Sequence, residues 1–379
     1  MSKITIHNAI KAAEHPILLE TQAQLENAAE RWQQSEILGI DTEFVRERTY
    51  RAALGLVQVS DGETAWLLDP LAVSSHEPLV RMFRNPGALK ILHSGSEDIE
   101  VLQNAVGAIP APLVDTQIAC AMLGQSLQLG YHHALKWLFD VDIDKDQTRS
   151  NWCKRPLTDR QLLYAAMDVV LLPEMLRRLR TRLEQEGRWA WLEEDVARLR
   201  RHSLQSVDPE WVYLRFSGLD RMDSETLQAL KHLARWRERV AAEKDLARGF
   251  VIKDAVLLQL ARNRPSTREQ VQDIRDFHPR ALARYQDSIL QTLADAAQDQ
   301  TPVMRFEPFD GRQNQQLKQM RKMVQARAQE LGVDPALLAS RKELEKLIRA
   351  LSAGEQPPER FRGWRKEVIS DQLIAVCDS

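Results

Sequence analysis

Two acids one residue apart, Asp41 and Glu43, follow the apolar run Ile37-Leu-Gly-Ile40. On a strand this i, i+2 spacing turns both carboxylates to one face, where like charges side by side call for a cation. With 54 acidic residues in the chain such a pair also arises by chance, and a solvated strand end is the plainer alternative. A third acid, Asp98, opens a helical stretch after the apolar segment Leu89-Lys-Ile-Leu-His93 and the turn Ser94-Gly-Ser96. Acids favour first helical turns, yet Ser96 at an N-cap position is expected to meet that need without Asp98. Tyr164 and Asp168 stand four apart with only small or apolar residues between them, which on a helix stacks a phenol and a carboxylate on one face. Alone, each would pass for core or surface. Together, four carboxylates and a tyrosine on apolar elements concentrate more negative charge than a protein interior tolerates without divalent ions. Hard oxygen ligands select Mg2+ or Mn2+, and two such ions about 3.5 to 4 Å apart clamp in-line displacement at phosphorus.

The elements that must position these groups are legible in outline. Glu36 to Val45, Leu54 to Ser60 and Thr64 to Leu68 read as strands of a meander turned at Asp61-Gly62. Leu89 to His93 is a short buried strand before a helix from about Glu97 to Val106, and Val114 to Thr116 is a last strand. From Gln117 to Arg201 the pattern is helical, broken at Asp142–Asn151 and Pro156. This half is therefore α/β with a mixed sheet. Beyond Asp208-Pro209 only helices are expected, with boundaries at Ser206–Glu210 and Asp299–Arg312. The division is 1–206, 207–297 and 298–379. The last two stretches read as a diverged repeat, a basic helix followed by a Leu-rich one: Leu233 to Leu246 matches Met320 to Val333, and Ala255 to Leu260 pairs with Ala336 to Ser340.

Composition sets limits. At 379 residues the chain exceeds what one core usually serves. A net charge of -2 makes any affinity for nucleic acid local rather than global. Three scattered cysteines fit a reducing compartment, and no apolar run approaches the roughly 18 residues of a membrane span, so a cytoplasmic location is expected. Between Arg312 and Glu367, 13 Lys and Arg face 7 Asp and Glu. This excess marks the expected phosphate-binding surface, dominated by Arg321, Lys322, Arg341 and Lys342, with Arg360, Arg362, Arg365 and Lys366 beside Trp364.

Asp41-Thr-Glu-Phe44, His93-Ser-Gly-Ser-Glu-Asp98 and Tyr164-x-x-x-Asp168, in this order, resemble the three exonuclease motifs of the DEDDy superfamily. Leu56-Val-Gln-Val59, Asp115-Thr116, Leu129-Gly-Tyr131 and Gln147-x-x-Ser150-x-Trp152-x-x-Arg155-Pro-Leu157 add a specific likeness to the ribonuclease D family along essentially the whole chain. Asn151 stands where relatives often carry Asp, a departure that touches no expected metal ligand. The resemblance implies an RNase H-like α/β exonuclease domain followed by two all-α HRDC modules, and 3′→5′ trimming of structured RNA such as tRNA precursors, with release of 5′-mononucleotides. Asp41 is expected to bridge two ions, Glu43 and Asp168 to hold the ion that binds the attacking water, and Asp98 to hold the other. Tyr164 is expected to aim the water, since a phenol with an ordinary pKa near 10 is a poor base. Thr42 and Phe44 are candidate contacts for the terminal nucleotide, whereas Gln58 and His93 read as satisfied core polar groups. Two alternatives stay open: a general DEDDy exonuclease that also degrades DNA, and a catalytically silent RNA-binding scaffold. A monomer is expected, since no long apolar heptad invites self-association.

Overall fold

The structure is a computed structural model describing residues 3–143, 150–205, 208–304 and 307–378. Six strands form one mixed sheet in the order β1-β4-β3-β2-β5-β6: β1 Ile17–Leu19, β2 Ile37–Val45, β3 Ala53–Ser60, β4 Ala65–Leu68, β5 Leu89–Leu92 and β6 Leu113–Asp115. The β3–β4 hairpin is antiparallel, Val57 opposite Leu68 and Ser60 opposite Ala65. Its turn closes because the Asp61 carboxylate accepts the N–H groups of Glu63 and Thr64 while Gly62 takes a φ of 91°. The pairs β1–β4, β2–β5 and β5–β6 are parallel, with Gly39 opposite Ile91 and Leu92 opposite Asp115. Strands buried on both faces read as continuous apolar runs, which is what β3 and β4 show.

Among the described residues nine helices accompany the sheet: α1 Lys3–Glu14, α2 Gln22–Gln34, α3 Glu77–Arg84, α4 Ser96–Val106, α5 Thr116–Met122, α6 Tyr131–Phe139, α7 Asp159–Val170, α8 Leu172–Gln185 and α9 Trp189–Leu204. The stretch expected to run as helix from Gln117 is thus five helices, and Gly187 in the left-handed region separates α8 from α9. Thr116 begins α5 rather than ending β6, because the Asp115 side chain caps that helix through the Gln117 and Ile118 N–H groups. Gln147 lies outside the described residues.

No strand follows β6 among the described residues. The chain divides into two compact units, one of residues 1–45, 54–204 and 310–379, the other of 46–53 and 205–309. The second unit contains α10 Ser224–Glu243, α11 Arg248–Val251, α12 Asp254–Asn263, α13 Arg268–Gln272 and α14 Pro279–Gln298, with α10 packed against α12 and α14. In the first unit, α15 Gly311–Leu331, α16 Pro335–Leu338, α17 Arg341–Ser352 and α18 Asp371–Asp378 follow the nuclease helices. Both sets repeat a long helix, a single turn and a third helix, but the expected pairing of their Leu-rich segments is off by one element. Ala255 to Leu260 lies in the third helix α12, whereas Ala336 to Leu338 lies in the single turn α16, so the counterpart of α12 is α17 with its buried Leu344, Leu347 and Ile348. Two apolar segments of similar composition misled the alignment because leucine content says nothing of element order.

Candidate active site

Asp41 and Glu43 lie on the face of β2 that Gly39 shares by strand alternation. That face meets the α7–α8 junction at very short range: a Cβ on Gly39 would stand 2.8 Å from the Val169 carbonyl oxygen and 2.9 Å from Leu172 Cβ. Only glycine lets the strand close on the helix that carries Asp168. Gly39→Ala is therefore expected to cost about 1 to 3 kcal/mol by overpacking and to lower turnover by about 100-fold through displacement of α7, read by urea unfolding and by nuclease rate on the same protein. Loss of neither would mean the junction relaxes freely.

α7 starts from a capping box in which Thr158 and Gln161 bond each other's backbone, and it places Tyr164 one turn before Asp168. Trp152, fully buried, lies with its ring centroid 6.0 Å from that of Tyr164. The Trp152 segment is fastened by Arg155, whose guanidinium bonds Asp69 (2.8 Å) and the carbonyls of Gly55 and Trp152 (2.7 Å each). Tyr131 donates to the Met167 carbonyl next to Asp168.

Asp98 sits in the first turn of α4, but Ser96 does not cap that helix as the sequence suggests. The N-cap is Gly95, where a Cβ would come within 2.5 Å of Leu92 Cδ1, and the N–H groups of Ser94 and Gly95 go to the Asp115 carboxylate instead. Asp115 so ties the β5–α4 turn to the start of α5. An acid ending a strand before a helix is an N-cap signature, and it was the available signal. Asp98 is buried and accepts the Thr42 hydroxyl at 2.5 Å. Thr42 is 5% exposed, so its hydroxyl is engaged with Asp98 rather than open to a nucleotide, while Phe44 is half-buried at the end of the same strand.

Carboxylate oxygens of Asp41, Glu43 and Asp168 all lie within 4.8 Å of one another. Asp98 lies beside this trio. Burial pushes the Asp41 carboxyl well above its ordinary range, and the like charges of Asp98, Asp168 and Glu43 push it further. Burial and the charges of Asp168 and Asp98 raise Glu43 to about 9. Burial raises Asp168 to about 7 against a hydrogen bond from Tyr164, and raises Asp98 to about 6 against the Thr42 bond. Groups so placed ionise together only beside a cation, and an all-carboxylate oxygen set is the donor chemistry of a hard divalent ion.

His93 is satisfied at both ring nitrogens, by Thr116 Oγ1 (2.9 Å) and the Leu129 carbonyl (2.8 Å). Gln58 departs from expectation: it is fully buried and neither amide atom has a partner among the described residues. On the basic C-terminal stretch, Arg321, Lys322 and Lys342 are exposed on α15 and α17, and Arg341 pairs with Glu345 at 2.7 Å. Arg360 and Arg365 are not a phosphate surface. Arg365 is 1% exposed and paired with Asp195, and Arg360 bonds the Ala336 and Leu337 carbonyls.

A mixed sheet whose central strand aims paired carboxylates at a Tyr-x-x-x-Asp helix defines a 3′→5′ exonuclease, and residues 16–184 match the family model for that domain. Residues 226–293 match the HRDC domain, and 313–373 match the C-terminal HRDC domain of ribonuclease D. The chain is 36% identical over 366 residues to a ribonuclease D of Pseudomonas paraeruginosa, spanning 95% of this chain and 97% of that protein. It is 34% identical to the Escherichia coli ribonuclease D over 89% and 91% of the two chains. The crystal structure of E. coli RNase D, described as an exoribonuclease involved in structured RNA processing, superposes with a TM-score of 0.89 at 29% identity, over 96% of this chain and 99% of that one. The chain belongs to the ribonuclease D family of 3′→5′ exoribonucleases.

Proposed function

We propose that this enzyme trims the 3′ ends of structured RNA, tRNA precursors foremost, by hydrolysis that releases one 5′-mononucleotide at a time. The observation that carries the reading is the convergence of Asp41, Glu43 and Asp168 within 4.8 Å, with Asp98 beside them. These four carboxylates would hold two divalent ions, Mg2+ or Mn2+. Held by these carboxylates, such ions would offset the charge of the cluster and would supply Lewis-acid activation of a water and of the scissile phosphate. Asp41, on β2, is close enough to feel the charges of Asp98, Asp168 and Glu43, so it would share in holding both ions, whereas Thr42 fixes Asp98 through its hydroxyl. The Tyr164 hydroxyl, on the Asp168 side, orients the attacking water along the line of the bond that breaks, between phosphorus and the 3′ oxygen of the preceding nucleotide. Phe44 supplies an aromatic face to the terminal base.

The division into an exonuclease domain (1–206), a first HRDC domain (207–297) and a second (298–379) supports this assignment, with Arg321, Lys322, Arg341 and Lys342 as outlying phosphate contacts. A cytoplasmic monomer is the state in which we place it. No described helix is long and apolar enough to cross a membrane.

The test follows a 5′-labelled RNA with a structured body and a single-stranded 3′ tail, with and without Mg2+, beside a matching DNA. Stepwise metal-dependent shortening that stops near the duplex and favours RNA is the expected result. Equal loss of DNA would point to a general exonuclease, and binding without shortening to a scaffold. Tyr164→Phe is expected to slow the chemistry by about 10- to 1000-fold while metal affinity, measured by calorimetry, stays within about twofold. A proportionate loss of metal binding would move Tyr164 from water to ligand positioning.

A further inference from the structure

Tyr164 is half-buried, and its hydroxyl hydrogen-bonds the Asp168 carboxylate one turn on. One such bond leaves a ring free to swing about it, so the direction in which the hydroxyl points depends on what packs against the ring. Trp152 supplies a wall there. The two ring centroids stand 6.0 Å apart with their planes tilted by 37°, and Trp152 is 1% exposed. The indole is not tethered by its own polar atom, because Nε1 has no partner among the described residues. Its place is set through the backbone of the segment that carries it.

Two groups hold that backbone. Gly55 of β3 lies so close that a Cβ there would stand 2.6 Å from the Trp152 carbonyl oxygen and 2.8 Å from the Trp152 Cβ. Arg155 then uses every N–H it has. Nε donates to Asp69 at 2.5 Å, Nη1 to the carbonyls of Trp152 (2.7 Å) and Lys154 (3.0 Å), and Nη2 to the carbonyl of Gly55 (2.7 Å) and to Asp69 (2.8 Å). One guanidinium thus fastens β3, the Trp152 segment and the residue that ends β4 into a single block. Asp69 is itself anchored: its side chain is 5% exposed, its N–H donates to the Leu19 carbonyl at 3.0 Å, and its carboxylate accepts the Leu71 N–H at 2.9 Å. A lysine carries three donors on a point charge and cannot reproduce a planar fork of five. None of the five bonds goes to α7, which starts from its own capping box of Thr158 and Gln161. Loosening Arg155 therefore moves the wall beside Tyr164 before it moves the helix that carries Asp168.

From this we infer that Arg155, acting through Trp152, is a positioning residue for the exonuclease reaction: it holds the indole as the stop against which the Tyr164 ring aims its hydroxyl. The inference rests on the proposed role of Tyr164 in orienting the attacking water, and it deepens that role by giving the aim a source outside the carboxylate cluster, at the ends of β3 and β4.

The test is a double-mutant cycle on the full chain, with Mg2+ and a 5′-labelled RNA that ends in a single-stranded 3′ tail. Arg155→Lys is expected to lower kcat by about 10- to 100-fold, while KM for the RNA and the Mg2+ affinity read by calorimetry stay within about twofold. In the Tyr164→Phe background the same substitution is expected to change the rate by less than about twofold, because no hydroxyl is left to aim. Trp152→Phe thins the wall and leaves Arg155 in place; it is expected to show the same dependence on Tyr164, and it carries the test where Arg155→Lys does not fold. Urea unfolding shows which variants are folded under the assay conditions. An equal loss from Arg155→Lys with and without the Tyr164 hydroxyl overturns the inference and leaves Tyr164 in its proposed role. A fall in Mg2+ affinity in step with the rate overturns it too, by making Arg155 a support of Asp168. If Tyr164→Phe does not slow the chemistry, the role proposed for Tyr164 fails first, and the inference falls with it.

Discussion

Asp41→Asn is expected to abolish metal-dependent shortening of RNA, by about 1000-fold or more, while making the metal-free protein harder to unfold. Both effects come from the same arrangement. The carboxylates are held on rigid elements, β2 and α7, and cannot swing apart to relieve their repulsion. In the absence of a cation this repulsion and the burial are a cost to folding, and Asp41, which feels the charges of all three other carboxylates, bears a large part of it. Asparagine keeps the shape and removes the charge. The sign of the pH dependence follows: folded pKa values raised to about 9 for Glu43, about 7 for Asp168 and about 6 for Asp98 mean that the folded state binds more protons than the unfolded one. Stability in EDTA is therefore fully present below the ordinary carboxylate range and is lost as pH rises through these values to about 9. Mg2+ should flatten that slope, and Asp41→Asn should make it shallower without Mg2+. Urea unfolding in EDTA at two pH values, with and without added Mg2+, reads all of this. Equal or lower stability of the variant in EDTA would mean the cluster is not strained, and a nuclease rate near wild type would remove Asp41 from the site.

The parts of the site that were legible in the sequence are those where local geometry decides. Asp41 and Glu43 are paired by strand alternation, Tyr164 and Asp168 by the helical turn, and both patterns lie within a few residues. What supports them was not legible, because it depends on partners far along the chain. Thr42 looked like a nucleotide contact until Asp98, 56 residues on, took its hydroxyl. Gly39 was one small residue in an apolar run, and its reason is a helix that passes 130 residues later. Ser96 satisfied the rule for an N-cap, but the competing acceptor at Asp115 holds the turn. The basic C-terminal stretch shows the same limit most plainly. Counting charges along Arg312 to Glu367 gave a surface, yet the count cannot tell an arginine in water from one buried against an acid on another helix.

That acid is Asp195, and removing it is the second large effect expected. From α9 it accepts two parallel bonds from Arg365 (2.6 and 2.7 Å) and one from the Trp364 indole (3.2 Å), with Arg198 at 3.2 Å. Burial alone would raise its pKa, but the Arg365 hydrogen bonds and charge bring it below the ordinary value. Around the pair, Trp191 stacks on Trp364 at 4.4 Å and Glu194 accepts the Trp364 N–H, so Asp195 stands in the seam between the nuclease helices and the α15–α18 set. Asp195→Ala leaves Arg365 buried and unpaired among Arg198 and Arg360, and is expected to cost about 3 to 5 kcal/mol. The double variant Asp195→Leu with Arg365→Met, which replaces the pair by apolar groups of similar volume, is expected to recover most of that loss. The Trp191–Trp364 stack gives a fluorescence signal for the unfolding measurement. A cost under about 1 kcal/mol for Asp195→Ala would mean water reaches Arg365 once the acid is gone. A double variant as unstable as the single one would mean that the seam depends on the geometry of the bidentate bond itself, not on cancelling a buried charge.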